Sequence, residues 1–356
     1  MYNKLLGSNI SNVTVTPYNG EEVLVTLDNT KMIAVNTCPT YGILRYELHK
    51  TFDYNNRRAV ALEAGQACHD VFAFIRLYQL GLVQGLHAHA EYHGERIFGS
   101  TRWDKITAKL SSDHKYKIGS WYEELTAAML EVLYTSGFVD DPEDKKRTLS
   151  QMEETCIQYL AEWNFTRYPV YVEDETDCTK SVGIEIPVDV LIKLDDKNIR
   201  FTGKIDGLHL DNDQLCVQEN KTTMYLNDIW ESQFQMAHQV TGYCLVTSAM
   251  YNREVLKASV LGSGLGGTNR FRKVNLTKDY VNFERWINNL IYTINTILEF
   301  KNDVINAPKH SHSCTRYFRE CSFLPLCMSS NEDFKRTMED EMVTDEWNPL
   351  SEDGGE

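Results

Sequence analysis

The stretch of sequence that decides the fold is residues 202–223, which read TGKIDGLHLDNDQLCVQENKTT. Apolar and polar residues alternate on both sides of an Asp- and Asn-rich turn, a pattern typical of two paired strands. Because side chains alternate across a strand, Glu219 and Lys221 project from the same face, and an antiparallel neighbour can place Asp206 beside them. We therefore expect two carboxylates and one ammonium group to converge here.

Such a convergence suits a particular chemistry. Carboxylate oxygens gathered at one point are what Mg²⁺ or Mn²⁺ requires, and a nearby Lys can orient an attacking water or help to deprotonate it. Phosphodiester cleavage needs both the bound metal ion and an activated water. A Glu-x-Lys triplet alone carries little weight, because about one arises by chance in a chain of this length. Its alternative explanation is a cross-strand salt bridge.

Two motifs on predicted helices accompany the strand pair. Gly65 and His69 form a Gly-x-x-x-His motif, and His69 offers an imidazole nitrogen that favours Mn²⁺ without excluding Mg²⁺. Gln239 and Tyr243 are four residues apart, so they lie on one face of a helix. The alternative for each motif on its own is structural, with His69 as an ordinary helix histidine and Tyr243 as a core side chain.

The rest of the chain predicts helices, then a mixed sheet, then helices. Alternating residues predict an N-terminal hairpin from 13–16 and 22–27. Helical periodicity predicts helices over 43–50, 58–80, 121–134, 145–163, 227–251 and 280–300. The strand pattern is found over 170–172, 183–194, 199–210, 215–223, 255–261 and 270–276.

The charge of the chain is unevenly distributed. The formal charge of −15 argues against a protein that grips nucleic acid by bulk electrostatics. However, residues 331–356 hold ten acidic and two basic residues, so over half of the excess lies in a tail that we expect to be disordered. A local basic groove and bound metal ions are compatible with an acidic surface, because salt confines each charge's influence to about 8 to 10 Å.

The composition, 42% hydrophobic and 24% charged, is that of a globular chain with a sizeable core. No stretch approaches the roughly 18 to 20 consecutive apolar residues of a membrane-spanning helix, and the opening MYNKLLGSNISNV lacks the apolar core of a secretory signal. We therefore expect no membrane partner and a cytoplasmic location.

The nine cysteines fall into two groups. Without an export signal, a disulfide framework explains them poorly. Five are scattered singly through predicted helices and strands and are interpreted as buried small apolar residues, namely Cys68, Cys156, Cys178, Cys216 and Cys244. Three others lie in the turn-like stretch CTRYFRECSFLPLC near the end of the chain, namely Cys314, Cys321 and Cys327.

Together, these motifs resemble those of the PD-(D/E)XK nucleases. The resemblance is strongest to the RecB-type exonucleases with an iron-sulfur cluster, a group that includes the AddB nuclease domain and the CRISPR-associated adaptation nucleases. It spans Cys38 to Cys327. It implies an α/β fold with a restriction-endonuclease-like core, in which helices flank a mixed central sheet and a helical insertion is added. Two departures are Glu219, where most relatives have Asp, and Asp70, which adds a charge after His69.

The resemblance implies roles for individual residues. His69, Asp206, Glu219 and the carbonyl of Asn220 would bind Mg²⁺ or Mn²⁺. Lys221 would position the water and stabilise the charge of the transition state. Two further residues would contact the substrate strand or buttress Lys221, namely Gln239 and Tyr243.

The resemblance also accounts for four cysteines. Cys38 would join Cys314, Cys321 and Cys327 as the ligands of a 4Fe-4S cluster that ties the two ends of the fold together. Four thiolates could equally hold Zn²⁺, because spacing does not separate the two metals.

The expected domain organisation follows from this comparison. Residues 1–330 would form the nuclease domain, with a helical insertion at about 81–165 and an acidic tail at 331–356. Basic and aromatic residues of the insertion are candidates for contacts with the DNA backbone and bases, with a solvated helix face as the alternative. They are Arg102, Trp103, Lys105, Lys109, Lys115, Tyr116, Lys117 and Trp121.

The predicted function is a metal-dependent DNA exonuclease that acts on single-stranded or frayed ends in recombination, repair or phage DNA metabolism. Because the sequence has no helicase motif, unwinding would come from a helicase or recombination partner. One alternative is a non-catalytic nucleic-acid-binding or assembly subunit that retains the fold. Another is a redox-sensing iron-sulfur protein.

Overall fold

The computed structural model describes residues 13–53, 59–110, 121–162, 168–265, 270–315 and 320–350. Its strands are β1 (Val13–Pro17), β2 (Val25–Leu27), β3 (Lys50–Phe52), β4 (Ile184–Leu194), β5 (Lys197–Asp211), β6 (Gln214–Thr223), β7 (Lys257–Gly264), β8 (Phe271–Thr277) and β9 (Met342–Thr344). Its α-helices are α1 (Asn29–Thr37), α2 (Pro39–Gly42), α3 (Val60–Leu82), α4 (His87–Phe98), α5 (Ser100–Thr107), α6 (Trp121–Tyr134), α7 (Leu149–Glu162), α8 (Asp228–Ser232), α9 (His238–Met250), α10 (Tyr280–Phe300), α11 (Leu324–Met328) and α12 (Asn331–Asp340).

Seven strands form one mixed sheet in the order β1-β4-β5-β6-β7-β8, with β2 beside β5. The pairs β5–β6 and β7–β8 are antiparallel, whereas β6 and β7 are parallel. A mixed central sheet flanked by helices confirms the predicted fold class. Residues 170–172 do not form a full strand, because Val170 and Val172 make only isolated bridges, with His209 and Val182.

The predicted N-terminal hairpin is wrong. β1 pairs antiparallel with β4, so that Val13 faces Leu194, and β2 pairs parallel with β5, so that Val25 faces Ile199. Residue alternation along a strand indicates which side chains share a face, but it does not reveal which strand lies alongside. Both segments pair with strands more than 170 residues away in sequence rather than with each other.

The chain divides into two compact units, each built from separated segments. The first unit comprises Met1–Arg58, Pro187–Lys204 and Asp279–Glu356, and the second comprises Ala59–Ile186 and Ile205–Lys278. We expected one domain over residues 1–330, and these residues are shared between both units. The helical block at 81–165 belongs entirely to the second unit.

In the second unit, α3 is an interior helix. From Val71 to Leu80 all of its side chains are buried, which is typical of a helix surrounded by other elements. α4 lies especially close to Trp103 of α5, because a Cβ at Gly94 would come within 2.3 Å of the Trp103 ring. The Trp103 ring also stacks on Phe98 with centroids 5.9 Å apart. Trp103 is therefore a core residue, and its predicted role in base stacking is wrong.

In the first unit, α10 has the bounds that its periodicity predicts. Asp279 and Asn282 form a capping box at its start, which satisfies main-chain N–H groups that would otherwise lack acceptors. The buried face is spaced at helical intervals and includes Trp286, whose ring meets Phe201 edge to face at 5.3 Å.

The acidic end of the chain also folds within the first unit. The Ser330 hydroxyl caps α12 by accepting from Asp333 N–H, and α12 buries Phe334. β9 pairs antiparallel with β3, and the indole of Trp347 donates to Asp28 at 2.8 Å. We expected disorder from residue 331 onward. The structure instead shows ordered elements up to residue 350, because apolar residues that lie between the acidic ones pack against other parts of the first unit. Net charge alone does not reveal such packing.

The helix predicted over 227–251 is two helices, α8 and α9, in the second unit. Asn227 caps α8 by accepting from Trp230 N–H. Beyond α8, the Lys278 ammonium donates to the carbonyls of Gln235 at 2.9 Å and Phe234 at 3.5 Å. These carbonyls are thus satisfied outside a helix, by a residue too distant in sequence for periodicity to reveal. None of the helices in the described parts of the chain is long and apolar enough to cross a membrane.

Candidate metal centre

The candidate centre lies where β5 and β6 separate, in the second unit. Their antiparallel register ends at Gly207 opposite Gln218, so Asp206 and Glu219 are the next residues on the two strands. In place of a further main-chain bond, Oδ2 of Asp206 accepts the N–H of Asn220 at 2.6 Å. The end of the ladder therefore fixes the Asp206 carboxylate against β6.

Three side chains from three elements offer metal ligands at this point. His69 of α3, Glu185 of β4 and Asp206 of β5 each contribute one ligand atom, and these atoms all lie within 4.8 Å of one another. Nδ1 of His69 is 3.6 Å from Oδ1 of Asp206. We call these three residues the metal group. One imidazole and two carboxylates form a donor set that suits Mn²⁺ or Mg²⁺.

Glu185 is the member of the metal group that sequence reasoning missed. It lies between Ile184 and Ile186 in a buried stretch of β4, and it has a left-handed backbone with φ of 46°. A non-glycine residue with this backbone is uncommon and often marks a functional site. A single Glu between two isoleucines in a predicted strand was the available signal.

Glu219 and Lys221 form an ion pair beside the metal group. Oε1 of Glu219 accepts from the Lys221 ammonium at 2.6 Å. Glu219 is only 2% exposed, and its Oε2 has no hydrogen-bond partner among the described residues. A buried carboxylate oxygen without a donor is costly, and a bound cation would satisfy it. The structure thus pairs Glu219 with Lys221 rather than placing it among the three converging ligands.

The pKa values reflect this crowding of charges. Burial raises the pKa of Glu219, as does the neighbouring Asp206, and Lys221 only partly opposes them, so that the value is about 7. Burial lowers the pKa of His69, but the carboxylates of Asp206 and Glu185 outweigh it and raise the value to about 9. A metal binds only neutral imidazole, so a cation must displace the proton that these carboxylates favour.

Asn220 and the α9 motif have different surroundings. The side-chain oxygen of Asn220 accepts the Tyr159 hydroxyl at 3.1 Å. The metal-ligand role of the Asn220 main-chain carbonyl stays a prediction. On α9, Tyr243 is buried and Gln239 is half-buried, one turn apart. The roles of Gln239 and Tyr243 toward a substrate stay predictions.

Asp70 is directed into the helical block rather than toward a metal. Its carboxylate pairs with Arg102 at 2.8 Å and accepts from Gln66 at 3.0 Å. Arg102 also donates to the carbonyl of Val132 at 2.9 Å. Arg102 therefore holds helices together, and this structural role replaces its predicted contact with DNA.

The other candidates of the insertion have varied positions. Lys109 pairs with Glu131 at 3.3 Å, and Lys105 is exposed. Lys115, Tyr116 and Lys117 lie outside the described residues, as does the side chain of Trp121.

The four cysteines predicted to bind a cluster all lie in the first unit, and we call them the cysteine cluster. Burial raises the pKa of Cys327 to about 11, and the nearby Cys38, Cys321 and Cys314 add to the shift. Cys321 N–H donates to the carbonyl of Cys314 at 2.7 Å. Among the described residues, however, potential metal ligands that lie within 4.8 Å of one another are found in the metal group, which contains no cysteine. A metal or cluster on these four thiols stays a prediction. Of the five scattered cysteines, all except the half-buried Cys178 are buried, as predicted.

A comparison with protein families identifies the fold. The family model described as the PD-(D/E)XK nuclease superfamily matches residues 30–328. The chain belongs to the PD-(D/E)XK nuclease superfamily. Members of this superfamily use divalent metals, and the metal group offers a place for one. The mixed sheet with flanking helices is the restriction-endonuclease-like core expected of a superfamily member.

Comparisons with individual proteins add little. No curated protein matches this chain. The solved "Crystal structure of SSO0001" is similar to 41% of this PD-(D/E)XK chain, at 18% identity and a TM-score of 0.27. This chain spans 59% of the length of that one. A TM-score this low carries no argument about fold or function.

Proposed function

We propose that this PD-(D/E)XK protein is a metal-dependent DNA exonuclease. The observation that carries the proposal is the metal group beside the Glu219–Lys221 pair, with one ligand atom from each of its three members within 4.8 Å. Superfamily membership supports a nuclease, and the donor set supports Mg²⁺ or Mn²⁺ as its cofactor.

The side chains divide the chemical work. His69, Glu185 and Asp206 would hold the cation, and the partnerless Oε2 of Glu219 would complete its surroundings. A bound divalent cation supplies positive charge that activates water and neutralises phosphate oxygens. Burial lowers the pKa of Lys221, but the carboxylates of Glu219 and Asp206 raise it further. Lys221 therefore stays protonated and orients water or stabilises the transition-state charge, instead of acting as a base.

The segment that follows Lys221 supports a preference for single-stranded or frayed ends. Trp230 packs so closely on Gly262, the register partner of Lys221, that a Cβ there would come within 2.4 Å of its ring. Tyr225 and Ile229 of the same segment are 68% and 79% exposed. Exposed aromatic and apolar side chains next to the site suit unstacked bases, which only an unpaired strand presents.

The cysteine cluster supports an iron-sulfur centre in the first unit. We propose that its four thiolates hold a 4Fe-4S cluster as a structural clasp, with zinc as the competing occupant. Such a clasp restrains the unfolded chain, because it links residues nearly three hundred positions apart. We further propose action in recombination, repair or phage DNA metabolism, beside a partner that unwinds DNA.

The test is cleavage of end-labelled single-stranded and duplex DNA by purified protein in Mg²⁺, in Mn²⁺ and in excess chelator. We expect mononucleotides or short fragments from single strands, with metal, and none from Asp206→Ala protein. Asp104→Ala, on the exposed surface of α5, is the matched control and should cleave normally. Cleavage by Asp206→Ala protein at the parent rate would refute the assigned site. Cleavage of a circular single strand, which has no ends, would show that the protein is an endonuclease and would refute the proposed exonuclease activity.

A further inference from the structure

Tyr159 links the helical block to the motif that carries Glu219 and Lys221. It lies on α7, inside the segment that the sequence suggested was an inserted cap, and is only 1% exposed. Its hydroxyl donates to Oδ1 of Asn220 at 3.1 Å. Asn220 lies between Glu219 and Lys221 and is itself buried. A residue of the helical block thus holds the centre of the Glu-Asn-Lys motif.

The same ring also contacts the helix that carries His69. The Tyr159 ring stacks on Phe72 with centroids 3.9 Å apart and ring planes 17° apart. Phe72 follows His69 by three residues on α3, so it lies one turn along the same face. The face of the Tyr159 ring therefore contacts α3, which carries His69, and its hydroxyl contacts β6, which carries Glu219 and Lys221.

Asn220 transmits this contact to the metal group. Its N–H donates to Oδ2 of Asp206 at 2.6 Å, and the other oxygen of that carboxylate faces His69. We propose that Tyr159 is a positioning residue of the metal centre, which acts through Asn220 on the orientation of Asp206 and Lys221. The inference rests on the proposed metal-dependent cleavage and assigns to α7 a part in it.

The Tyr159 hydroxyl, and not only the Tyr159 ring, is required to hold the Asn220 side chain in place. Burial raises the pKa of Tyr159, so the hydroxyl keeps its proton and acts as a donor. Nε2 of Gln218 also donates to Oδ1 of Asn220, but at the long distance of 3.5 Å. Without the hydroxyl, a buried amide oxygen would lose its better donor and the side chain would be free to rotate.

The test compares two Tyr→Phe variants of the full-length protein. Tyr159→Phe retains the stacked ring and removes only the hydroxyl. Tyr134→Phe is the matched control, because the Tyr134 hydroxyl, at an exposed position of α6, donates to Glu153 of α7 at 2.9 Å. Mn²⁺ affinity is measured by calorimetry, and kcat and KM are measured on a labelled single strand.

We expect Tyr159→Phe to weaken Mn²⁺ binding roughly 10-fold, the lower end of the range typical of residues that orient metal ligands. The kcat should fall with KM for DNA unchanged, and Tyr134→Phe should match the parent. Asn220→Ala provides a second variant. Adding Tyr159→Phe to it should cause no further loss, because the hydroxyl acts through the side chain already removed.

Two results would overturn the inference. One is a Tyr159→Phe protein that binds Mn²⁺ and cleaves DNA as the Tyr134→Phe control does. The other is a double variant whose losses equal the product of the two single losses. A parent protein that binds Mn²⁺ without cleaving DNA would refute the proposed nuclease activity instead, and the comparison of affinities would still decide the role of Tyr159.

Discussion

The Lys221 ammonium donates a hydrogen bond to Oε1 of the almost fully buried Glu219 at 2.6 Å, two residues away on the same strand. The pair makes Lys221 a fixed cation at the edge of the metal group. We predict that Lys221→Ala lowers the cleavage rate by roughly 100-fold or more, because a cation that stabilises transition-state charge is lost. Rates on end-labelled DNA at saturating Mn²⁺ provide the measurement. Lys335→Ala, at an exposed position of α12, should leave the rate unchanged, and an unimpaired Lys221→Ala protein would contradict the role of Lys221.

Glu185 should be needed for metal binding although no motif identifies it. We predict that Glu185→Gln weakens Mn²⁺ affinity by at least about 10-fold, because an amide oxygen replaces a charged ligand. Calorimetric titration of Mn²⁺ gives the affinity directly, without dependence on catalysis. Glu131→Gln is the control, since Glu131 pairs with Lys109 in the helical block. Equal affinities of the two variants would remove Glu185 from the centre.

Two buried histidines should make the protein sensitive to acid. Burial lowers the pKa of His93 to about 4, with the nearby Arg96 adding to the effect. Burial also lowers the pKa of His209 to about 3, with further contributions from Arg76 and Lys273. In the unfolded chain, these two histidines have their ordinary pKa of about 6.5. Below that pH, the unfolded chain therefore binds protons that the folded protein does not bind until the pH is much lower. The free energy of unfolding should therefore fall as the pH drops from about 6.5 toward 4.

Urea denaturation at several pH values measures this dependence. A His209→Leu variant has no imidazole to protonate, so its stability should fall less steeply between pH 6.5 and 4 than that of the parent. Identical slopes for the parent and the His209→Leu variant would show that His209 takes up no proton on unfolding.

The cysteine cluster predicts a coloured protein whose stability depends on its thiolates. We expect broad absorbance near ~400 nm in anaerobically purified protein, and its loss in Cys314→Ser and Cys321→Ser proteins together with a lower Tm. Cys178→Ser, in the second unit, should keep both colour and Tm. A colourless parent that contains stoichiometric zinc would instead assign the site to Zn²⁺.

Local patterns predicted much of this fold. α6 and α10 have the bounds that periodicity indicates, and for α10 the capping residues at Asp279 and Asn282 mark the start. Helical spacing and strand alternation succeed here because they depend on residues a few positions apart. β1 and β2 show the limit of such patterns, because their pairing partners are distant in sequence.

The candidate site was predictable to a similar degree. His69 and Asp206 approach each other as the motifs indicated, since each motif belongs to one element with a defined face. Glu185 was missed because a single acidic residue in an apolar strand has no spacing partner. The roles of Arg102 and Trp103 were mistaken, because basic and aromatic residues on a helix look alike whether they bind a substrate or a neighbouring helix.

The folded acidic end has a practical consequence for protein production. Because the residues after 330 are strongly acidic, they could be taken for a disordered tail and left out when the protein is expressed. Such a cut would strip β3 of its neighbouring strand and deprive Asp28 of the Trp347 indole. A protein shortened at residue 330 should be less stable for reasons unrelated to DNA cleavage. Residues 331–350 should therefore be kept in the expressed protein.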